Sequence, residues 1–159
     1  MREPSAEDLI LGFAQNVRIN QIGKFRKSNI IGHFNMILKL DLAVLFVEDE
    51  ETILDCMGVY FKRRFRDVYL AADGVEGLEK FKEHRPDLIV TDVEMPKLDG
   101  IEMSKEIRKI SPDTPIIFTT AYNEDAQVEA GKEIGVAAHL LKPVDYSDLD
   151  GVIASLFKK

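Results

Sequence analysis

The chain has 159 residues, enough for one domain with a full hydrophobic core and a short additional segment. Its apolar fraction of 45% and charged fraction of 31% are those of an ordinary globular protein, and no apolar run approaches the roughly 20 residues that a membrane span needs. Residues 1–40 carry a net charge of +3 and residues 41–159 a net charge of −10, so the acidic main part is unsuited to binding nucleic acid.

Residues 1–40 are predicted to form an N-terminal extension with two short amphipathic helices. Apolar side chains recur at helical spacing at Ile10 and Phe13, and again at Ile30 and Phe34. Helices of this length cannot bury an apolar face by themselves. We therefore expect the extension to pack on the main domain, on a second copy of the chain in a homodimer, or on a partner protein.

Residues 41–159 alternate strand-like and helix-like segments about five times. The first strand, Leu42–Val47, is a continuous apolar run of the kind that is buried on both faces. This alternation predicts an α/β fold with a five-stranded, doubly wound parallel sheet. Further strands are predicted at 67–72, 86–92, 114–121 and 137–142, and helices at 48–65, 73–84, 99–110, 123–135 and 146–159.

The first predicted helix carries an apolar stripe. Leu54, Met57, Phe61 and Phe65 recur at helical spacing and are expected to face the core. Cys56 lies on the same helix and is expected to be an inert packing residue. As the single cysteine it excludes an internal disulfide bond, which fits a reducing cytoplasm.

Polar residues follow several of the predicted strands at their carboxyl ends, where functional groups collect in parallel sheets. Converging carboxylates repel one another and favour a divalent cation, and hard oxygen ligands suit Mg²⁺ better than zinc. A nearby lysine and hydroxyl can hold phosphoryl oxygens, and a carboxylate so placed can act as a nucleophile. The residues at these strand ends are Glu48, Asp49, Asp92, Thr120 and Lys142.

Four segments resemble, in order and spacing, the receiver domain of two-component response regulators: VLFVEDEE, LIVTDVEMPKLDG, IIFTTA and HLLKP. The resemblance covers about residues 41–159 and implies the flavodoxin-like receiver fold. It also implies a cytoplasmic signalling domain rather than an enzyme. Such a domain accepts a phosphoryl group from a sensor histidine kinase in a Mg²⁺-dependent reaction, binds a downstream protein, and catalyses its own dephosphorylation.

The resemblance implies which residues bind the metal and the phosphoryl group. Asp92 matches the phosphoacceptor. Glu48 and Asp49 match the acidic pair that holds Mg²⁺ together with Asp92 and the backbone carbonyl of Glu94. Lys142 matches the lysine that pairs with the phosphoryl oxygens.

The resemblance also implies a switch, with one departure from the family pattern. Thr120 matches the hydroxyl that hydrogen-bonds the phosphoryl group. Three residues before the lysine the family usually has Tyr or Phe, whereas this chain has His139. This histidine could serve as a switch and titrate near neutral pH, or it could be a partly exposed residue without a switching role. The Lys142–Pro143 peptide is a candidate cis bond.

Three other interpretations stay open from the sequence. The chain could be a receiver domain excised from a larger transcription regulator or hybrid histidine kinase. It could be a Mg²⁺-dependent phosphatase with an aspartyl nucleophile, for which Glu94 stands two residues after Asp92, although no segment is typical of a substrate cap. It could also be a degenerate receiver that is not phosphorylated, against which the complete acidic set argues.

Overall fold

The computed structural model describes residues 39–122 and 124–158. In these ranges five strands alternate with five helices, as the sequence predicts. The two predicted helices of the N-terminal extension, and any pairing of two copies through them, lie among residues 1–38 and outside the described part. The strands are β1 (Leu40–Val47), β2 (Phe65–Ala71), β3 (Leu88–Asp92), β4 (Ile116–Thr120) and β5 (Ala138–Leu141). The helices are α1 (Glu51–Arg64), α2 (Gly74–His84), α3 (Gly100–Ile110), α4 (Asp125–Ile134) and α5 (Tyr146–Leu156).

The five strands form one parallel sheet in the order β2-β1-β3-β4-β5. This confirms the predicted doubly wound, flavodoxin-like fold. The chain winds in one direction from β1 to β2 and in the other from β3 to β5, so the order reverses between β1 and β3. In such sheets the crevice at the carboxyl ends of the strands on either side of this reversal is the usual ligand site.

A hydrophobic core lies on each face of the sheet, since side chains alternate along every strand. On one face Phe46 and Val90 pack against Phe61 of α1 and Leu149 of α5. On the other face the helices α2 and α3 contribute the buried side chains Phe81, Met103 and Ile107, which pack against Leu45, Ile89 and Phe118. Both cores hold the strands rigidly, and the strand ends are therefore fixed positions.

Acidic side chains begin several of the helices that follow the strands. Asp73 accepts a hydrogen bond from the backbone N–H of Glu76 at the start of α2, and Asp99 accepts one from that of Glu102 at the start of α3. Asp145 has the same role at α5. In the described ranges, no helix has the length and apolar character needed to cross a membrane.

Two details of the first predicted helix were wrong. Phe65 is buried with Phe61, but it is the first residue of β2 and not the last of α1, which ends at Arg64. The apolar period continues across the boundary because both residues enter the same core. Cys56 is exposed rather than packed, and lines a shallow groove with Lys142, Pro143 and Tyr146. Its place on α1 is on the outward face, next to the buried Met57.

Candidate functional site

Three carboxylates meet at the carboxyl ends of β1 and β3. Glu48 and Asp49 directly follow β1, and Asp92 is the last residue of β3. One oxygen of each lies within 4.8 Å of one oxygen of each of the others. Glu48 and Asp92 are almost completely buried, with exposed fractions of 1% and 5%, whereas Asp49 is exposed. The structure thus brings together the acidic residues that the sequence singled out.

The loop after β3 folds back on the strand and fixes Asp92. The backbone N–H of Gly100 donates a 2.9 Å hydrogen bond to the carbonyl of Val93. A Cβ atom at Gly100 would overlap the carbonyl oxygen of Asp92, so this close approach requires glycine. The backbone N–H of Glu94 lies 3.3 Å from Oδ1 of Asp92 and donates to it. The loop thus fixes the backbone of Asp92, and one backbone N–H orients its carboxylate.

Lys142 reaches the same carboxylates from the end of β5. Its Nζ lies 2.7 Å from Oε2 of Glu48 and 3.0 Å from Oδ2 of Asp92. Its backbone N–H donates a 2.8 Å hydrogen bond to the carbonyl of Thr120, which fixes its position relative to β4. The Lys142–Pro143 peptide is cis, as the sequence indicated.

Burial dominates the electrostatics of this acidic site. Burial raises the pKa of Glu48 and the pKa of Asp92, while the close contacts with the ammonium group of Lys142 lower both by a smaller amount. Burial also lowers the pKa of Lys142, but its contacts with Glu48 and Asp92 outweigh this, so the pKa of the lysine is raised overall. One cation therefore faces more negative charge than it can neutralise.

The donor set fits a hard divalent cation. The clustered atoms are all carboxylate oxygens, which Mg²⁺ prefers, and this cluster contains neither histidine nor cysteine, which zinc prefers. Oε2 of Glu48 is buried and accepts no hydrogen bond of good geometry in the described part of the chain, although Lys142 lies beside it as an ion pair. A buried oxygen with spare acceptor capacity is what a metal ligand offers.

Thr120 takes part in a hydrogen-bond network at the end of β4. Its Oγ1 accepts from the backbone N–H of Tyr122 at 3.2 Å. The same hydroxyl lies 2.6 Å from the carbonyl of Tyr122 and 2.9 Å from Oε1 of Gln127, and both oxygens are acceptors. Nε2 of Gln127 donates a 2.9 Å hydrogen bond to Oε1 of Glu94. Gln127, in the first turn of α4, is a residue that the sequence analysis missed.

His139 of β5 packs inward against β4 and α4. Its ring meets Phe118 edge to face, with centroids 5.4 Å apart, and both ring nitrogens are buried without a hydrogen-bond partner among the described residues. The ring fits against α4 because residue 131 is glycine, since a Cβ at Gly131 would overlap Nε2 of His139. Burial, followed by the positive charge of Lys132, lowers the pKa of His139 below its ordinary value of 6.5.

A model of the response regulator receiver domain matches residues 44–154 of this chain. The chain belongs to this family. The match contains all four segments of the predicted resemblance and confirms it.

Relatives and solved structures agree with the family assignment. The chain is 35% identical over 120 residues to the alkaline phosphatase synthesis transcriptional regulatory protein PhoP of Bacillus subtilis, an alignment that covers 76% of this chain and 50% of PhoP. It is 31% identical over 106 residues to the sporulation initiation phosphotransferase F of the same organism, covering 67% of this chain and 86% of that protein. The structure of the chemotaxis protein CheY4 of Vibrio cholerae superposes with a TM-score of 0.69 at 30% identity, covering 74% of this chain and all of CheY4.

The lengths of the receiver relatives differ. The chain spans about half the length of PhoP and of several other curated relatives that it matches. It spans most of the sporulation phosphotransferase and all of CheY4. The family therefore includes both receiver domains joined to further sequence and proteins of about the size of one receiver domain.

Proposed function

We propose that residues 41–159 form a receiver domain that accepts a phosphoryl group on Asp92 from a sensor histidine kinase, in a Mg²⁺-dependent reaction in the cytoplasm. The phosphorylated form would bind a downstream protein and return to the resting state by hydrolysis of the acyl phosphate. The observation that carries the proposal is the position of Asp92: it is nearly buried, shares a site with two further carboxylates, and is paired with Lys142 at 3.0 Å.

The chemistry follows from the residues around Asp92. A carboxylate oxygen forms a bond to phosphorus, the bond between phosphorus and the donor histidine nitrogen breaks, and that nitrogen keeps the electron pair. Lys142, already 3.0 Å from Oδ2, can pair with a phosphoryl oxygen, and the hydroxyl of Thr120 can donate to another. Glu48, Asp49, Asp92 and the backbone carbonyl of Glu94 would hold Mg²⁺, which supplies neutralisation of the negative charge.

We propose that phosphorylation of Asp92 changes the positions of side chains on β4 and β5. Thr120 and His139 are the two proposed switch residues, and the ring of His139 packs on Phe118, two residues before Thr120. A change in the contacts of Thr120 would thus reach residues that border His139. The exposed Cys56 is compatible with the reducing cytoplasm in which we place the protein.

The alternative that the chain is part of a larger regulator also has support. It spans about half of PhoP and of the transcriptional regulatory protein AfsQ1 of Streptomyces coelicolor, both of which are named as transcriptional regulators. In that case the phosphorylated receiver would act on an attached output domain. The phosphorylation chemistry on Asp92 is the same in both cases.

Intact-mass spectrometry tests the phosphorylation directly. After incubation with acetyl phosphate and Mg²⁺ we expect one phosphoryl group on the wild-type chain. Asp92→Asn should remove this addition, and chelation of Mg²⁺ should slow it strongly. Asp99→Asn, a change at a nearby helix-capping residue, is the matched control and should be phosphorylated normally. An unmodified wild-type chain, or modification that persists in Asp92→Asn, would contradict the proposal.

A further inference from the structure

Gln127 connects two parts of the site that belong to different elements. Its side-chain amide forms one hydrogen bond with Glu94, in the loop after β3, and one with Thr120, at the end of β4. Its backbone belongs to α4. The exposed fraction of Gln127 is 9% and that of Thr120 is 2%, so the contact between them is shielded from water. A polar side chain buried in this way keeps its hydrogen-bond partners unless another group competes for them.

The orientation of the Gln127 amide is fixed by its neighbours. A carboxylate only accepts hydrogen bonds, so Nε2 must face Glu94, and Oε1 is then left to face Thr120. The hydroxyl of Thr120 has one proton and two acceptors within reach, Oε1 of Gln127 and the carbonyl of Tyr122. These two acceptors therefore share the proton, and Gln127 is the one of them that belongs to α4.

We propose that Gln127 is a positioning residue that competes with a phosphoryl group on Asp92 for the hydroxyl proton of Thr120. The inference deepens the proposed function and rests on it. A phosphoryl oxygen is a stronger acceptor than an amide oxygen, because its charge strengthens the hydrogen bond. When Thr120 donates to it, Gln127 loses one of its two partners. The first turn of α4 and the side chain of Glu94 are then released from the end of β4.

Beryllofluoride, with Mg²⁺, is the probe for this competition, because its fluorines stand in for the phosphoryl oxygens on the aspartate. Gln127→Leu keeps the size of the side chain but removes both hydrogen bonds. We expect beryllofluoride to bind this variant about fivefold more tightly than the wild type, which corresponds to roughly 1 kcal/mol for one lost competing hydrogen bond. Glu129→Leu, an exposed change two residues along α4, is the matched control and should bind like the wild type.

A double-mutant cycle separates competition from a general effect on folding. In a Thr120→Ala background the hydroxyl is absent, so Gln127→Leu should no longer change beryllofluoride affinity. The NMR signal of the Thr120 methyl group gives a second measure. In unliganded Gln127→Leu it should move towards its position in the beryllofluoride-bound wild type.

Each result has a defined meaning. Equal affinity of the wild type and Gln127→Leu, weaker binding by Gln127→Leu, or an effect that persists without the Thr120 hydroxyl would overturn the inference. If Gln127→Leu folds poorly, Gln127→Met replaces it: this variant also lacks the side-chain amide but keeps an unbranched side chain. It should tighten binding in the same direction, and no tightening would also overturn the inference. Failure of the wild type to bind beryllofluoride or accept a phosphoryl group would instead contradict the proposed function.

Discussion

Two neighbouring regions at the same edge of the sheet satisfy their polar atoms in different ways. The acidic pocket, formed by Glu48, Asp49, Asp92 and Lys142, holds fixed charges in ion pairs of 2.7 and 3.0 Å. The switch region, formed by Thr120, Gln127 and His139, contains a hydroxyl with two competing acceptors and a ring whose two nitrogens are buried without a partner in the described chain.

The difference is between a region of fixed geometry and a region whose hydrogen bonds can be exchanged. The acidic pocket is held by backbone contacts and charge, so its geometry is determined before any ligand arrives. In the switch region the partners can be exchanged at small cost, because each hydrogen bond there contributes only about 1 kcal/mol. The proposed phosphoryl site would need the first property, and the proposed switch would need the second.

The largest expected effect is a loss of stability when the cation of the acidic pocket is removed. Lys142→Met leaves Glu48 and Asp92 buried without their cation and should lower the free energy of unfolding by roughly 3 kcal/mol at pH 7 in EDTA. Because the pKa values of both carboxyl groups are raised, they take up protons readily as the pH falls towards their ordinary values of 4.5 and 3.8. The loss should therefore shrink on acidification, as measured by urea unfolding at several pH values.

The exposed Lys105, which pairs with Glu102 on α3, provides the control for this experiment. Lys105→Met should change stability little at any pH. A loss for Lys142→Met that does not depend on pH would mean that packing, rather than charge, explains the effect.

A smaller expected effect, the stabilisation of the folded protein by Mg²⁺, tests which residues form the proposed metal site. At a Mg²⁺ concentration 100 times the dissociation constant, binding to the folded state should stabilise the wild type by about 2.7 kcal/mol relative to EDTA. Asp49→Ala removes an exposed carboxylate of the cluster and should abolish most of this gain, whereas Glu102→Ala on α3 should keep it. Thermal unfolding with and without Mg²⁺ measures the difference. An equal gain in Asp49→Ala would place the metal elsewhere.

The smallest effect concerns the switch region and its pH dependence. The pKa of His139 is lowered in the folded chain, so the neutral ring contributes stability that is fully present above pH 6.5 and is lost as the pH falls below 6.5 through the lower pKa of the folded state. His139→Phe keeps an aromatic ring but cannot take up a proton. The wild type should therefore lose stability relative to His139→Phe between pH 8 and pH 5.

Lys132 offers a second variant for the same measurement. Its charge also disfavours protonation of His139, so Lys132→Met should reduce the pH dependence without removing it. Parallel stability curves for the wild type and His139→Phe across this range would show that the ring is not a proton-sensitive element.

Most of the fold and of the acidic pocket could be predicted from the sequence. Continuous apolar runs that stop at Glu48 and at Asp92 identify both the parallel sheet and the edge at which the carboxylates meet, because the carboxyl ends of parallel strands lie at one edge. Lys142 was found in the same way, since it follows the apolar Leu140 and Leu141.

The missed features depend on contacts between distant segments. A glutamine such as Gln127 in a weakly apolar helix carries no pattern of its own, and its role emerges only from its two hydrogen-bond partners on other elements. The boundary at Phe65 was missed because a core residue at the end of a helix and one at the start of a strand look alike. The exposure of Cys56 was missed because the outward face of α1 was not separated from its buried face.

The exposed thiol of Cys56 has a practical consequence. Because the chain has one cysteine and no tryptophan, a thiol-reactive fluorophore would label a single position without prior mutagenesis, and no tryptophan emission would compete with it. The label would lie in the groove beside Lys142 and Pro143, and Lys142 also contacts the proposed phosphoacceptor Asp92. The native sequence therefore permits a time-resolved fluorescence assay of the proposed phosphorylation.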